Sequence, residues 1–207
     1  MPGPKPGPAT IPVFDVGNVL IEWDPRHLYR RLFTDSSEME TFLATVCTPE
    51  WNRMMDAGKT FAQGVAELTV RFPEHDALIR AYHERWQEMV PRAFEGTVAI
   101  LRALKERRVP VYAITNFPAE KWALERRRWP FLNWFDGVVV SGEVGLIKPD
   151  PAIYQCLIDS YGLRAEQCLF IDDSPANVAA ARAIGMSALW FETAERLRTD
   201  LEIIGLL

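Results

Sequence analysis

The sequence predicts an α/β fold: a parallel sheet flanked by helices, with an all-helical segment inserted after the first strand. Three observations carry this. Short apolar runs alternate with amphipathic helices from Gly96 to the C-terminus. About 70 residues, from Asp24 to Arg92, show helical periodicity without strand-like alternation. The apolar runs also end in polar groups, as strands do when they present side chains to a ligand at their carboxyl edge.

The first run is Ile11-Pro12-Val13-Phe14, which ends in Asp15 and the turn Val16-Gly17-Asn18. The proline- and glycine-rich residues 1–10 before it read as a flexible tail. Asp24-Pro25 is a helix start, a capping side chain followed by proline at the first helical position. Leu28, Leu32 and Phe33 give that helix its stripe. Ser37 with Glu40 reads as a capping box, continued by Phe42, Leu43 and Val46. A helical piece spans Trp51 to Met55 and is closed by Gly58. Thr60 with Gln63 opens another, carrying Phe61, Val65, Leu68 and Phe72 on one face. Ala77 to Val90 is amphipathic through Leu78, Tyr82, Trp86 and Met89.

From Gly96 the texture changes. A helix over 97–108 leads to a strand over 109–114 that ends in Thr115-Asn116. Helix 119–128, strand 137–141, a loop over 142–149 and helix 150–161 follow. Strand 168–171 ends in Asp172-Asp173, and Ser174-Pro175 opens helix 176–184, stopped by Gly185. A strand over 187–191 and a terminal helix complete the chain. The expected organisation is a core of 11–23 and 93–207 with a helical lid of 24–92 lying over Asp15.

Composition bounds the function. Hydrophobic residues make up 48% and charged residues 25%, an ordinary globular balance. A net charge of -5 argues against nucleic acid and against an anionic membrane surface. No apolar run is long enough to span a bilayer, and the N-terminus lacks the apolar core of a signal peptide, so a cytoplasmic location is expected. Cys47, Cys156 and Cys168 read as free thiols, and His27, His75 and His83 have no ligand spacing. Monomer and homodimer both stay open.

Polar groups then gather at one sheet edge: Asp15, Thr115 with Asn116, Lys148, and Asp172 with Asp173. Three carboxylates together repel, and a hard divalent cation relieves them; magnesium takes one or two carboxylates plus phosphate oxygens. Lys148 adds a second positive group, while Thr115 and Asn116 offer neutral donors to an anionic substrate. Around one free carboxylate, this set describes attack on phosphorus through an aspartyl-phosphate.

The set resembles the haloacid dehalogenase superfamily of hydrolases. The matching stretches are Phe14-Asp15-Val16-Gly17-Asn18-Val19, Ile114-Thr115-Asn116, Gly145-Leu146-Ile147-Lys148-Pro149-Asp150 and Phe170-Ile171-Asp172-Asp173-Ser174. Each alone is weak; together, in order and at strand ends, they cover nearly the whole chain. The resemblance implies a Rossmann-like sheet of strand order 3-2-1-4-5 with a helical cap inserted after the first motif. It implies Asp15 as nucleophile, with Mg2+ held by Asp15, the Gly17 carbonyl and Asp173, and Asp172 close by. The substrate implied is a small phosphorylated metabolite, such as a sugar phosphate.

One departure stands out. Phosphatases of the superfamily usually carry a second aspartate two residues after the nucleophile, which protonates the leaving group and later activates water. Here that position is Gly17. Some bacterial sugar-phosphate phosphatases of the superfamily look similar, with Asp-x-Gly-Asn. Metal-independent 2-haloacid dehalogenation is the rival chemistry, and Asp172-Asp173 weighs against it, since two extra carboxylates would repel an anionic haloacid. A non-catalytic ligand- or partner-binding role is the third reading, and it leaves Asp15 without a purpose.

Asp24 is a candidate for the missing acid, against its simpler role as a helix cap. Trp23, Trp51, Arg53 and Trp86 are candidates for a pocket under the lid, although tryptophans at helical spacing more often build core. Asn177 is a candidate for orienting the metal carboxylates, against a place on the helix surface.

Overall fold

The computed structural model describes residues 10–207. The expected tail lies outside the described residues except for Thr10, whose N–H donates to Gln167 O at 2.9 Å. Five parallel strands form one sheet in the order β3-β2-β1-β4-β5, as expected. They are β1 (Ile11–Phe14), β2 (Tyr112–Thr115), β3 (Gly137–Val140), β4 (Cys168–Asp172) and β5 (Ser187–Trp190). The central strand places Phe14 opposite both Ala113 of β2 and Ile171 of β4. Asp15 therefore emerges from the middle of the sheet, level with the ends of its two neighbours.

β1 to β4 are short and largely buried on both faces, which suits a parallel sheet covered by helices, while the edge strand β5 is partly exposed. Val13, Ile114, Val139 and Phe170 point into one layer, closed by α9 (Pro151–Tyr161) and α10 (Pro175–Ala183). Phe14, Ala113 and Ile171 point into the other, with α6 (Glu95–Glu106) and α11 (Ala194–Ile204). The period-2 alternation of β1 thus divides the core in two. Each fully buried Phe or Leu contributes about 1.5–3 kcal/mol.

Between β1 and α6 the chain is helical: α1 (Arg26–Tyr29), α2 (Ser36–Thr45), α3 (Pro49–Asp56), α4 (Phe61–Arg71) and α5 (Asp76–Glu84). Its interior is aromatic. Tyr82 stacks edge-on against Trp51 at 5.0 Å, and Tyr29 lies 5.0 Å from Phe42. The two connections to the sheet run side by side. Glu22 N–H donates to Arg92 O (3.0 Å), Asp24 N–H to Met89 O (3.0 Å) and Phe94 N–H to Leu20 O (2.8 Å). On the far side the segment meets α7 (Ala119–Arg128), where Lys121 Nζ donates to His83 O at 2.7 Å.

Several local expectations change. The cap of α2 is Asp35, whose Oδ1 accepts from Ser37 N and Glu38 N. Glu40 is no capping-box partner, because it forms a two-point ion pair with Arg26. The capping box of Thr60 with Gln63 is present. Strand β2 starts at Tyr112, not Val109. Pro110 has no N–H to offer, and Val111 N–H goes to Asp136 Oδ2 at 2.8 Å. The stretch 77–90 divides into α5 and a tight turn over Trp86–Met89. The expected loop after β3 begins with a single helical turn, α8 (Ser141–Val144), closed by Gly145 in the left-handed region. No helix among the described residues is long and apolar enough to cross a membrane.

Candidate active site

Asp15 leaves β1 with its N–H bonded to Ile171 O of β4 at 2.8 Å. The turn that follows is held by Asn18, the residue with positive φ (54°). Asparagine tolerates that region better than most side chains. Its Oδ1 accepts from Trp23 N–H at 3.0 Å, which ties the turn to the first connection. Gly17 has no positive φ, and a Cβ placed there would meet nothing within 4 Å. The backbone does not demand glycine at this position.

Lys148 Nζ sits 2.7 Å from Asp15 Oδ1 and 2.7 Å from Asp172 Oδ2. It is buried, as is Asp172. Asp172 is held further by Ser174 N–H (2.8 Å) and by Asn177 Nδ2, at 2.9 and 3.1 Å from its two oxygens. Asn177 is therefore no mere surface residue. Asn116 bonds the backbone of Lys148 at both ends, Nδ2 to O (3.1 Å) and N–H to Oδ1 (2.8 Å). Thr115 is fully buried, and its Oγ1 has no hydrogen-bond partner among the described residues. Asp15 Oδ1 accepts from Val16 N–H at 2.7 Å in addition to Lys148, while Oδ2 has no hydrogen bond among the described residues.

The electrostatics follow from this packing. Burial raises the Asp15 carboxyl above the usual carboxylate range; Lys148 opposes the rise and Asp172 reinforces it. Burial by itself would lower the Lys148 ammonium, but Asp15 and Asp172 raise it more, and the net shift is upward. Asp173 is also raised, by burial and then by Asp172. Carboxylate oxygens of Asp15, Asp172 and Asp173 lie within 4.8 Å of one another. One lysine cannot balance three such groups. An all-oxygen donor set crowded this closely fits a hard divalent cation. Gly17 lines the same cavity, and its carbonyl accepts no backbone hydrogen bond among the described residues.

That cavity has a volume of about 200 Å³. Its floor is Asp15, Gly17, Asn116, Lys148, Asp173 and Asn177; its walls include Trp23, Trp86 and Phe117. The Trp23 and Trp86 rings lie 6.3 Å apart, and neither indole N–H has a partner among the described residues. Trp51 and Arg53 do not line it: the Trp51 indole donates to Gly64 O at 3.2 Å within the helical core, and Arg53 is exposed. Asp24 does not line it either. Its Oδ1 accepts from Arg26 N–H at 2.8 Å, so it caps a helix start, as the simpler reading had it.

Two further polar residues, absent from the candidates read in the sequence, reach the cavity from α3. Asn52 and Asp56 are buried and line it. The signal was their spacing: polar residues at i and i+4 beside Trp51 and Met55, on the buried face of one helix.

The haloacid dehalogenase-like hydrolase model matches residues 13–185. The chain belongs to that family. It is 28% identical over 196 residues to a sesquiterpene phosphatase of Aspergillus oryzae, covering 92% of this chain and 93% of the relative. A HAD-like family hydrolase from Porphyromonas gingivalis has the same fold, with a TM-score of 0.73, 20% identity and coverage of 96% and 98%. A HAD family enzyme from Bacteroides thetaiotaomicron, solved with magnesium and inorganic phosphate, superposes with a TM-score of 0.66 at 21% identity, over 89% of this chain and 94% of that one. The family assignment makes this chain an enzyme of the hydrolase class.

Proposed function

We propose that this hydrolase is a magnesium-dependent phosphatase of a small phosphorylated metabolite, working through an aspartyl-phosphate on Asp15. The observation that carries the proposal is the close group of Asp15, Asp172 and Asp173 with Lys148 bonded to two of them at the floor of a cavity. Asp15 Oδ2 is the free oxygen and attacks phosphorus. Lys148 holds Oδ1 and keeps the buried negative charge balanced. Thr115 Oγ1 supplies a hydroxyl donor to a phosphoryl oxygen, which accounts for its unpartnered burial. Asn116 positions Lys148, and Asn177 positions Asp172.

Magnesium held by Asp15, Asp173 and the Gly17 carbonyl, with Asp172 beside it, supplies the positive charge that the phosphoryl group requires. The similarity to a phosphatase over nearly the full chain supports the reading. We assign the helices of 24–92 the role of a cap, since Asn52, Asp56 and Trp86 from that segment close the cavity over Asp15. Trp23, Trp86 and Phe117 favour a substrate whose body presents apolar surface beside its phosphate.

The test compares p-nitrophenyl phosphate and a panel of sugar and terpenyl phosphates, with and without magnesium, against chloride release from 2-chloropropionate. Phosphate release that requires magnesium is expected. Chloride release that needs no metal would overturn the proposal in favour of a dehalogenase. Tight ligand binding without turnover would favour a binding protein.

A further inference from the structure

The ionisable side chains that line the cavity are Asp15, Asp56, Lys148 and Asp173. Three of these belong to the nucleophile and the carboxylate group around it. Asp56 alone comes from the helical segment, at the end of α3. A phosphate ester needs a proton on its leaving oxygen, and Gly17 has no side chain to supply it. Lys148 is committed to two carboxylates at 2.7 Å each.

Asp56 has the orientation of a reacting group. Asn52 Nδ2 donates to its Oδ2 at 3.0 Å, and Tyr82 Oη–H donates to Asn52 Oδ1 at 3.1 Å. This buried relay fixes the carboxyl plane, and among the described residues no hydrogen bond reaches Oδ1 of this cavity-lining side chain. Asp56 is the last residue of α3, the end at which the helix dipole disfavours negative charge. Its protonation also suits the role: burial lifts the carboxyl to about 7, opposed by Arg53 on the same helix and Lys148 across the cavity.

We propose that Asp56 is the general acid and base of the reaction, taking the place that Gly17 leaves empty. The assignment rests on the phosphatase reading. In the first half, Asp15 Oδ2 forms a bond to phosphorus, the bond from phosphorus to the leaving oxygen breaks, and Asp56 passes its proton to that oxygen. In the second half, water attacks the aspartyl-phosphate and gives its proton to the Asp56 carboxylate. The phosphorus–Asp15 bond breaks, and both groups return to their starting state.

Asp56→Asn tests this with aryl and alkyl phosphates in magnesium. Steady-state kcat is expected to fall by about 10²–10⁴-fold. With p-nitrophenyl phosphate, whose leaving group departs unprotonated, a burst of about one nitrophenolate per active site should precede the slow phase, because attack proceeds while hydrolysis stalls. Gly17 has room for a Cβ, so Gly17→Asp in the Asp56→Asn background should recover part of kcat. In the unaltered enzyme, log kcat/KM should depend weakly on leaving-group pKa, and that dependence needs no variant to fold.

A raised KM with kcat intact would make Asp56 a substrate-hydroxyl contact and overturn the proposal. So would a slow linear time course without a burst, or a steep leaving-group dependence in the unaltered enzyme. An unaltered enzyme inert towards every phosphate in magnesium would instead defeat the phosphatase reading, and this assignment with it.

Discussion

Both ends of the Asn116 side-chain amide are bonded to the backbone of Lys148, at 2.8 Å through Oδ1 and 3.1 Å through Nδ2. The end of β2 thereby clamps the loop that carries the lysine, although 32 residues separate the two positions. Asn116→Ala releases the clamp and removes no charge. Misplacing a reacting group by about 1 Å costs on the order of 10²-fold. The variant should lose about that much in kcat with magnesium affinity little changed, measured by steady-state kinetics and titration calorimetry.

Asp15→Asn removes the proposed nucleophile and little else. Lys148 keeps Asp172 at 2.7 Å, and the backbone bond from Asp15 N–H to Ile171 O does not involve the side chain. Turnover of p-nitrophenyl phosphate should vanish while the far-ultraviolet circular dichroism and the melting cooperativity persist. Retention of most of the activity would exclude the covalent route.

Lys148→Met leaves the buried Asp172 and Asp15 without their cation. Removing one partner of a buried ion pair costs about 3–5 kcal/mol, because the charge left behind stays desolvated. Chemical denaturation in chelator should show a loss of that order. Magnesium should restore part of it, since a cation in the same carboxylate group takes over some of the compensation.

Asn177→Ala removes two contacts to Asp172. Side chains that orient metal carboxylates are worth about 10–100-fold in metal affinity. Calorimetric titration of magnesium should show a weakening in that range, with the saturated kcat close to normal.

Asp56 gives the stability a pH dependence of defined sign. Its carboxyl ionises near 3.8 in the unfolded chain and is raised to about 7 in the fold. Between those values the folded state holds a proton that the unfolded state has lost, so rising pH destabilises the protein through this window. Asp56→Asn cannot ionise. Relative to the unaltered chain, the variant should gain stability between about pH 4 and pH 7, by an amount on the order of 3–4 kcal/mol at the upper end. Paired denaturation curves across that range measure it; a constant difference would mean that the carboxyl is not buried as described.

The floor of the site was legible because strands announce themselves. Asp15 and Asp172 each follow an apolar run, and a buried strand must deliver the next side chain to the carboxyl edge. Lys148 stood out as a charge in a loop that ends beside them. The contributions of the helical segment were harder. Asn52 and Asp56 sit in a helix whose polar positions would ordinarily face water, and the periodicity of α3 alone does not say which stripe is covered. The tryptophans divided for the same reason: Trp23 and Trp86 line the cavity, while Trp51 packs inside the helical segment.

By itself, the sequence determined the α/β architecture, the helical insertion and the carboxylates and lysine at one edge, because local periodicity and strand ends are short-range properties. Only the tertiary structure decided that Asn116 and Asn177 serve Lys148 and Asp172, that Asp24 is a cap, and that Asp56 lines the same cavity as Asp15. Those relations depend on how a helical segment, joined at Leu20–Asp24 and Met89–Phe94, is set down on the sheet. That placement comes from many long-range apolar contacts, and no single stretch of the chain encodes it.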